Sequence, residues 1–159
     1  MDTIDIVIET TAGSKAKYKF YKKSQHLKVK KLLPAGMVFP YDFGFIPGTK
    51  GEDGDPVDAM VIAEFSTFPG CHIECRLIGA ILAEQTENKK TVRNDRFIFI
   101  PEASLFFHET VSLNQLSSEH LEQLTEFFIN YNRAEKKEFR PLEIVDADKA
   151  WEILKKQKE

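Results

Sequence analysis

The stretch Phe39–Asp58, FPYDFGFIPGTKGEDGDPVD, decides how this chain is read. Its first half interleaves aromatic residues with Pro and Gly. Its second half sets Asp53, Asp55 and Asp58 within six residues, in the run Asp53-Gly54-Asp55-Pro56-Val57-Asp58. Carboxylates this crowded repel one another unless a cation lies between them. An all-oxygen set suits a hard ion such as Mg²⁺, Mn²⁺ or Ca²⁺ rather than zinc. The fifth position of the run is Val57, so the ligand spacing of an EF-hand calcium loop fails. Gly-Asp-Pro is also ordinary turn chemistry. Spacing alone therefore leaves a solvated turn and a metal site both open.

Around this stretch the hydrophobic period changes once. Ile4, Ile6 and Ile8 alternate with polar neighbours, as do Ala16, Tyr18 and Phe20 with Lys15, Lys17 and Lys19, and Leu27 and Val29 with Lys28 and Lys30. Side chains change face at every step of a strand, so each segment has one apolar and one polar side. Ala59–Phe65, Cys71–Ala83 and Phe97–Ile100 read as further strands, with an exposed hairpin turn over Glu87–Thr91. Beyond these, Leu121, Leu124, Phe127 or Phe128, and Tyr131 recur at helical spacing behind an N-cap at Ser117 or Ser118. A second helix begins near Asp146 with Ala147, Ala150, Trp151 and Leu154 on one stripe. Strands followed by helices predict an α+β chain, mainly β: a small barrel or curled sheet with helices beside it.

The bulk properties narrow the function. The chain has 159 residues, 42% of them apolar, which predicts one domain over residues 1–159 with a real core. The net charge of −3 lacks the basic footprint of a general nucleic-acid binder. No apolar window reaches the length of a membrane span and the first residues do not read as a signal peptide, so no membrane partner is expected. Two cysteines, Cys71 and Cys75, form no disulfide framework and fit a reducing, cytoplasmic setting. Without a second Cys pair they read as ordinary thiols rather than zinc ligands. His26, His72, His108 and His120 form no pair at ligand spacing. Phe106, Phe107 and His108 fit a core segment better than an oligomer contact.

Asp-Gly-Asp-Pro-apolar-Asp, behind Phe39-Pro40-Tyr41-Asp42-Phe43-Gly44-Phe45-Ile46, resembles the soluble family I inorganic pyrophosphatases. The likeness extends to Ile8-Glu9 with Lys17-Tyr18, to Pro69-Gly70 … Ile73 … Arg76-Leu77-Ile78-Gly79, and to Phe127-Phe128 … Tyr131. It implies an OB-like five-stranded barrel with flanking C-terminal helices, Mg²⁺ (with Mn²⁺ as a substitute), hydrolysis of pyrophosphate to two phosphates, and a homo-oligomer. By similarity Asp53, Asp55, Asp58 and Glu9 hold metal, and Asp55 also serves the attacking water. Lys17, Lys19, Lys31, Arg96 and Tyr131 hold phosphate, with Lys17, Lys31 and Tyr131 counted in the catalytic set.

Several positions depart from that pattern. Lys19 stands where the family has Glu, Lys31 where it has Arg, Phe43 where it has Tyr, and Asn132 where it has Lys. Two further metal-binding Asp positions fall on Gln85 and Asn94, while Arg96 keeps the cation of a later Lys. Acidic neighbours Glu84 and Asp95 substitute only if a bulge re-aims them. These changes make the cavity more positive and predict fewer metal ions, with lysine supplying part of the counter-charge. They sustain a second reading: a catalytically weakened homologue that binds a phosphorylated metabolite or nucleotide. Oligonucleotide binding on the barrel surface is a third, disfavoured by the net charge.

Overall fold

A computed structural model describes residues 2–159. The strands are β1 (Thr3–Thr10), β2 (Ala16–Tyr21), β3 (His26–Leu32), β4 (Asp42–Phe45), β5 (Asp58–Val61), β6 (His72–Glu87), β7 (Lys90–Arg93), β8 (Arg96–Pro101) and β9 (Glu138–Asp146). Helix α1 (Ser118–Ala134) precedes β9, and α2 (Ala147–Lys155) follows it. Strands β1, β4, β5, β8 and β6 pair in that order, and β6 pairs back onto β1, so five strands close a ring. Closure leaves these strands no free edge. All the ring pairings are antiparallel except β5 with β8. The lysine-bearing β2 and β3 form a separate hairpin. The OB-like barrel with C-terminal helices is thus the fold of this chain.

Strand alternation sorts the core into two clusters. Ala59 and Val61, with Phe97 and Phe99, join Ile6, Ile8 and Leu77 in one, which α2 covers with Ala150 and Leu154. Met60 and Ile62, with Ile98 and Ile100, face the other, where α1 supplies Leu124, Phe128 and Tyr131. Because β6 is covered on both sides, its residues Cys75–Ala83 are continuously buried. Helix α1 starts at Ser117, one of the two expected caps, which accepts from the His120 N–H, and α2 starts where expected, with Asp146 accepting from the Lys149 N–H. The Glu87–Thr91 turn is made by Asn88 and Lys89, both with positive φ.

Three expectations change. The strand foreseen over Ala59–Phe65 ends at Val61, and the chain turns so that Glu64 can accept from Ser104 Oγ and from the Leu105 and Phe106 N–H groups. The strands β4, β7 and β9 are additions. Strand β9 is mostly exposed and contains Pro141, which sits where the β6–β9 register shifts between Leu82 and Ala83. Phe107 packs on the core, but Leu105 and Phe106 are 79% and 81% exposed and His108 is exposed as well, so the core reading fails for Phe106 and His108.

Two glycines are dictated by close backbone approach. A Cβ on Gly44 would lie 1.9 Å from the Val7 carbonyl oxygen across the β1–β4 pair. At Gly79 φ is +156°, the β6–β8 register shifts there, and a Cβ would lie 2.5 Å from the Val145 oxygen. Gly44→Ala must push backbone against backbone, so it is expected to destabilise the fold by about 3 kcal/mol in urea unfolding. A loss below about 1 kcal/mol would mean that β4 can shift away from β1 freely.

Candidate active site

A cavity of about 900 Å³ opens between the barrel and the β2–β3 hairpin. Glu9, Lys17, Lys19, Asp55, Asp58, Arg96 and Tyr131 all lie on its wall. The fold brings each of them there by a local device. Glu9 occupies the register shift between Ile8 and Thr10 in β1, and a bulge re-aims the side chain it carries. Its Oε2 accepts the Phe20 N–H at 2.7 Å, tying β1 to β2. Burial pushes the Glu9 carboxyl up to about 7, against that hydrogen bond. Lys17 and Lys19 stand two apart on β2 and so share a face.

The acidic loop is held from within. Thr49 Oγ1 donates to the Ile46 carbonyl at 2.6 Å and accepts the Val57 N–H at 2.9 Å. The Gly51 N–H reaches the Asp55 carbonyl, and the Asp55 N–H reaches Asp53 Oδ1 at 3.0 Å. Asp53 itself is exposed and stands off the cavity wall. Partial desolvation of its carboxyl by the crowded loop, with the charges of Asp58 and Asp55, raises its pKa. Asp55 Oδ2 meets Lys19 Nζ at 3.5 Å, and Asp58 Oδ2 accepts from Arg96 Nη1 at 2.6 Å.

Lys31 departs from the expected wall position. The β2–β3 register shifts so that Lys17 pairs with Lys31 but Tyr18 pairs with Val29, leaving Lys30 as the extra residue. Lys30 lines the cavity, while Lys31 Nζ turns to Glu135 Oε1 at 2.6 Å. Neither Lys30 nor Glu135 stood out in the sequence. No motif marks them; a bulge places one, and a contact between distant segments places the other. Lys17 Nζ also reaches Glu135 Oε1, at 3.5 Å. Both ammonium groups sit over the Tyr131 ring, 5.1 Å and 5.6 Å from its centroid. Phe39 and Phe127 pack against that ring. The Tyr131 hydroxyl is buried, makes no hydrogen bond of ordinary length among the described residues, and lies close enough to the Glu135 carboxylate to favour its charge.

Gln85 and Asn94 form an uncharged pair beside Arg96. Asn94 Nδ2 donates to Gln85 Oε1 at 2.8 Å, and Asn94 Oδ1 accepts from Arg96 Nη1 at 2.5 Å. Glu84 and Asp95 do not take their place. Glu84 pairs with Arg140, and buried Asp95 accepts the Ala83 N–H and the Arg93 guanidinium. Asn132 is buried and donates to the Phe128 carbonyl, and Phe43 packs on Phe39 and Phe128.

The donor set fits a hard divalent cation. Glu9, Asp53, Asp55 and Asp58 each have one oxygen engaged by the chain, and the other accepts no hydrogen bond from the described residues. These are oxygen-only donors with mutual repulsion to relieve. Among the described residues no three such side chains are already gathered into a cation site.

A closed barrel with a basic hairpin facing a loop of carboxylates defines a candidate phosphate-handling site. A family model described as inorganic pyrophosphatase matches residues 6–159. An inorganic pyrophosphatase of Synechocystis is 38% identical over 134 residues, covering 84% of this chain and 77% of the relative. One from Nostoc is 36% identical over 145 residues, covering 91% and 83%. The solved inorganic pyrophosphatase of Helicobacter pylori superposes with a TM-score of 0.90 at 28% identity, covering 98% of this chain and 91% of that one. This chain belongs to the inorganic pyrophosphatase family. No helix among the described residues is long and apolar enough to cross a membrane.

The Glu135 environment makes a pH prediction. Burial opposes its charge, but Lys17 and Lys31 outweigh that and hold the carboxyl at about 2, below the ordinary 4.5. A depressed carboxyl stabilises the fold fully above the unfolded value, and this contribution fades as the pH falls from about 4.5 towards 2. Thermal unfolding followed from pH 6 to 2 should therefore lose less stability in Glu135→Gln than in the parent. Parallel profiles would contradict the depressed carboxyl.

Proposed function

We propose that this chain hydrolyses inorganic pyrophosphate to two phosphates in a Mg²⁺-dependent reaction, with Mn²⁺ as a substitute. The gathering of both signs of charge in one cavity carries the reading: Lys17, Lys19, Lys30 and Arg96 line it together with Glu9, Asp55 and Asp58. Pyrophosphate is a compact polyanion whose attack by water requires its charge to be offset. The basic wall supplies fixed positive charge to both phosphoryl groups. The buried Tyr131 hydroxyl, beside Glu135, can donate to a phosphate oxygen. Asp55, at the tip of the acidic loop, accepts the proton of the water that attacks phosphorus. The bond from that phosphorus to the bridging oxygen breaks, and the second phosphate leaves against the lysines.

A divalent cation held by Asp53, Asp55, Asp58 and Glu9 would offset further phosphate charge and make the water a better nucleophile at neutral pH. Arg96 already neutralises part of Asp58, and the Gln85–Asn94 pair adds no negative charge. That corner supports a site with fewer cations and a more positive field than the family pattern. It also favours the second reading, a weakened homologue that binds a phosphorylated metabolite or nucleotide. Exposed Leu105 and Phe106 support self-assembly into a homo-oligomer, and the two free thiols support a cytoplasmic setting.

Phosphate release from pyrophosphate, titrated with Mg²⁺ and Mn²⁺, separates the readings. Metal-dependent turnover is expected, with Asp55→Asn slowing it at least about a hundredfold. Turnover no greater than that of Asp55→Asn at every metal concentration would reject the enzyme and leave the binding protein.

A further inference from the structure

Glu135 is the buried anion of the site that the pyrophosphatase reading leaves without a task. Its side chain is 7% exposed, yet it meets three ammonium groups. Lys17 and Lys31 converge on Oε1 at 3.5 and 2.6 Å, and Lys137 reaches Oε2 at 3.3 Å from behind. The end of α1 fixes the carboxylate in place. Glu135 is the C-cap, Lys136 adopts φ +61°, the Lys136 N–H reaches the Arg133 carbonyl, and the Lys137 N–H reaches the Asn132 carbonyl. These paired bonds are those of a Schellman ending, which reverses the chain and returns Lys137 to the carboxylate.

We propose that Glu135 is a positioning residue: it gathers Lys17 and Lys31 on the face of Tyr131 and presents Lys17, charged, to phosphate. The proposal rests on the pyrophosphatase reading of the cavity. Lys137 also meets Glu87 Oε2 at 3.7 Å, but Lys17 and Lys31 share the single carboxylate of Glu135, which leaves positive charge unmatched, so an incoming phosphate completes the neutralisation rather than competing with it. The need for such an anion follows from crowding. Lys17, Lys19, Lys30, Lys31 and Arg96 repel one another, and Lys19 brings no negative charge to β2. Burial disfavours the charged form of Lys17, and Glu135 is the first group that opposes this. Lys30 and Arg96 reinforce the burial effect, while Asp58 opposes it more weakly. Glu9 also faces Lys17 from β1, and the Tyr131 ring covers it from α1. Lys31, beyond the cavity wall, acts through Glu135.

The test uses Glu135→Gln and Glu135→Asp in the full chain, with inorganic phosphate as the calorimetric probe and pyrophosphate as the kinetic one. Glu135→Gln is expected to weaken phosphate binding about tenfold and to raise KM more than it lowers kcat. It should also move the alkaline limb of phosphate binding about one pH unit towards acid, because Lys17 then loses its proton sooner. Glu135→Asp should recover most of both effects; a purely structural role would not move the pH limb. Phosphate binding that is unchanged or tighter in folded Glu135→Gln would overturn the role, showing a mere competitor for the lysines. A parent protein that binds neither probe would instead overturn the pyrophosphatase reading, and this role with it. Should Glu135→Gln not fold, Lys17→Gln and Lys31→Gln are measured singly and together. Both lysines act through the one carboxylate, so non-additive losses in phosphate affinity are expected, and additive losses would overturn the proposal.

Discussion

Closure of the barrel by the β1–β6 pairing is the constraint on which the site depends. Thr3 to Val7 of β1 run against His72 to Arg76 of β6. Only when that seam forms is Glu9 fixed beside the hairpin, where it accepts the Phe20 N–H. The same ring fixes β5 and β8 side by side in parallel, which sets Asp58 and Arg96 at the same end of adjacent strands. Carboxylates and cations far apart in the chain thereby meet in one cavity. The two-sided burial of β6 holds the seam rigid, with α2 covering one cluster and α1 the other.

The electrostatic logic is one of enforced proximity. Carboxylates and ammonium groups stand close to groups of their own sign in the cavity, and burial raises the cost of each charge. The chain relieves part of this internally, through Arg96 with Asp58, Lys19 with Asp55, and Glu135 with its lysines. What is left over has the form of the ligands it would take: free carboxylate oxygens for a hard cation, and ammonium groups with a buried hydroxyl for phosphate. Arg96 also lies over Phe128 and Phe139, with its guanidinium carbon 5.3 Å from each ring centroid. Its position is thus set by packing as well as by charge, unlike that of an exchangeable ion.

Much of this was legible in the residues. Period-two alternation located β1, β2 and β3, because each has one wet face. Helix caps at Ser117 and Asp146 were local chemistry and could be read locally. The acidic loop advertised itself by spacing. The unread parts are those that depend on tertiary partners. Strand β9 has little apolar pattern of its own and exists by pairing with β6. The inward turn of Glu9 and the exchange of Lys30 for Lys31 on the wall come from bulges, where a one-residue shift changes which side chain faces the site. Glu135 becomes recognisable only once β2, β3 and the end of α1 converge, since its contact with Lys17 spans 118 positions of sequence.

The most direct measurement is a crystal structure of the protein with Mn²⁺ and a non-hydrolysable imidodiphosphate, using manganese anomalous scattering. The account predicts manganese on the carboxylates of Asp53, Asp55, Asp58 or Glu9. It predicts the phosphorus atoms against Lys17, Lys19 and Tyr131, and an uncharged Gln85–Asn94 corner free of metal. Manganese at that corner, or an analogue bound outside the cavity lined by these residues, would contradict it.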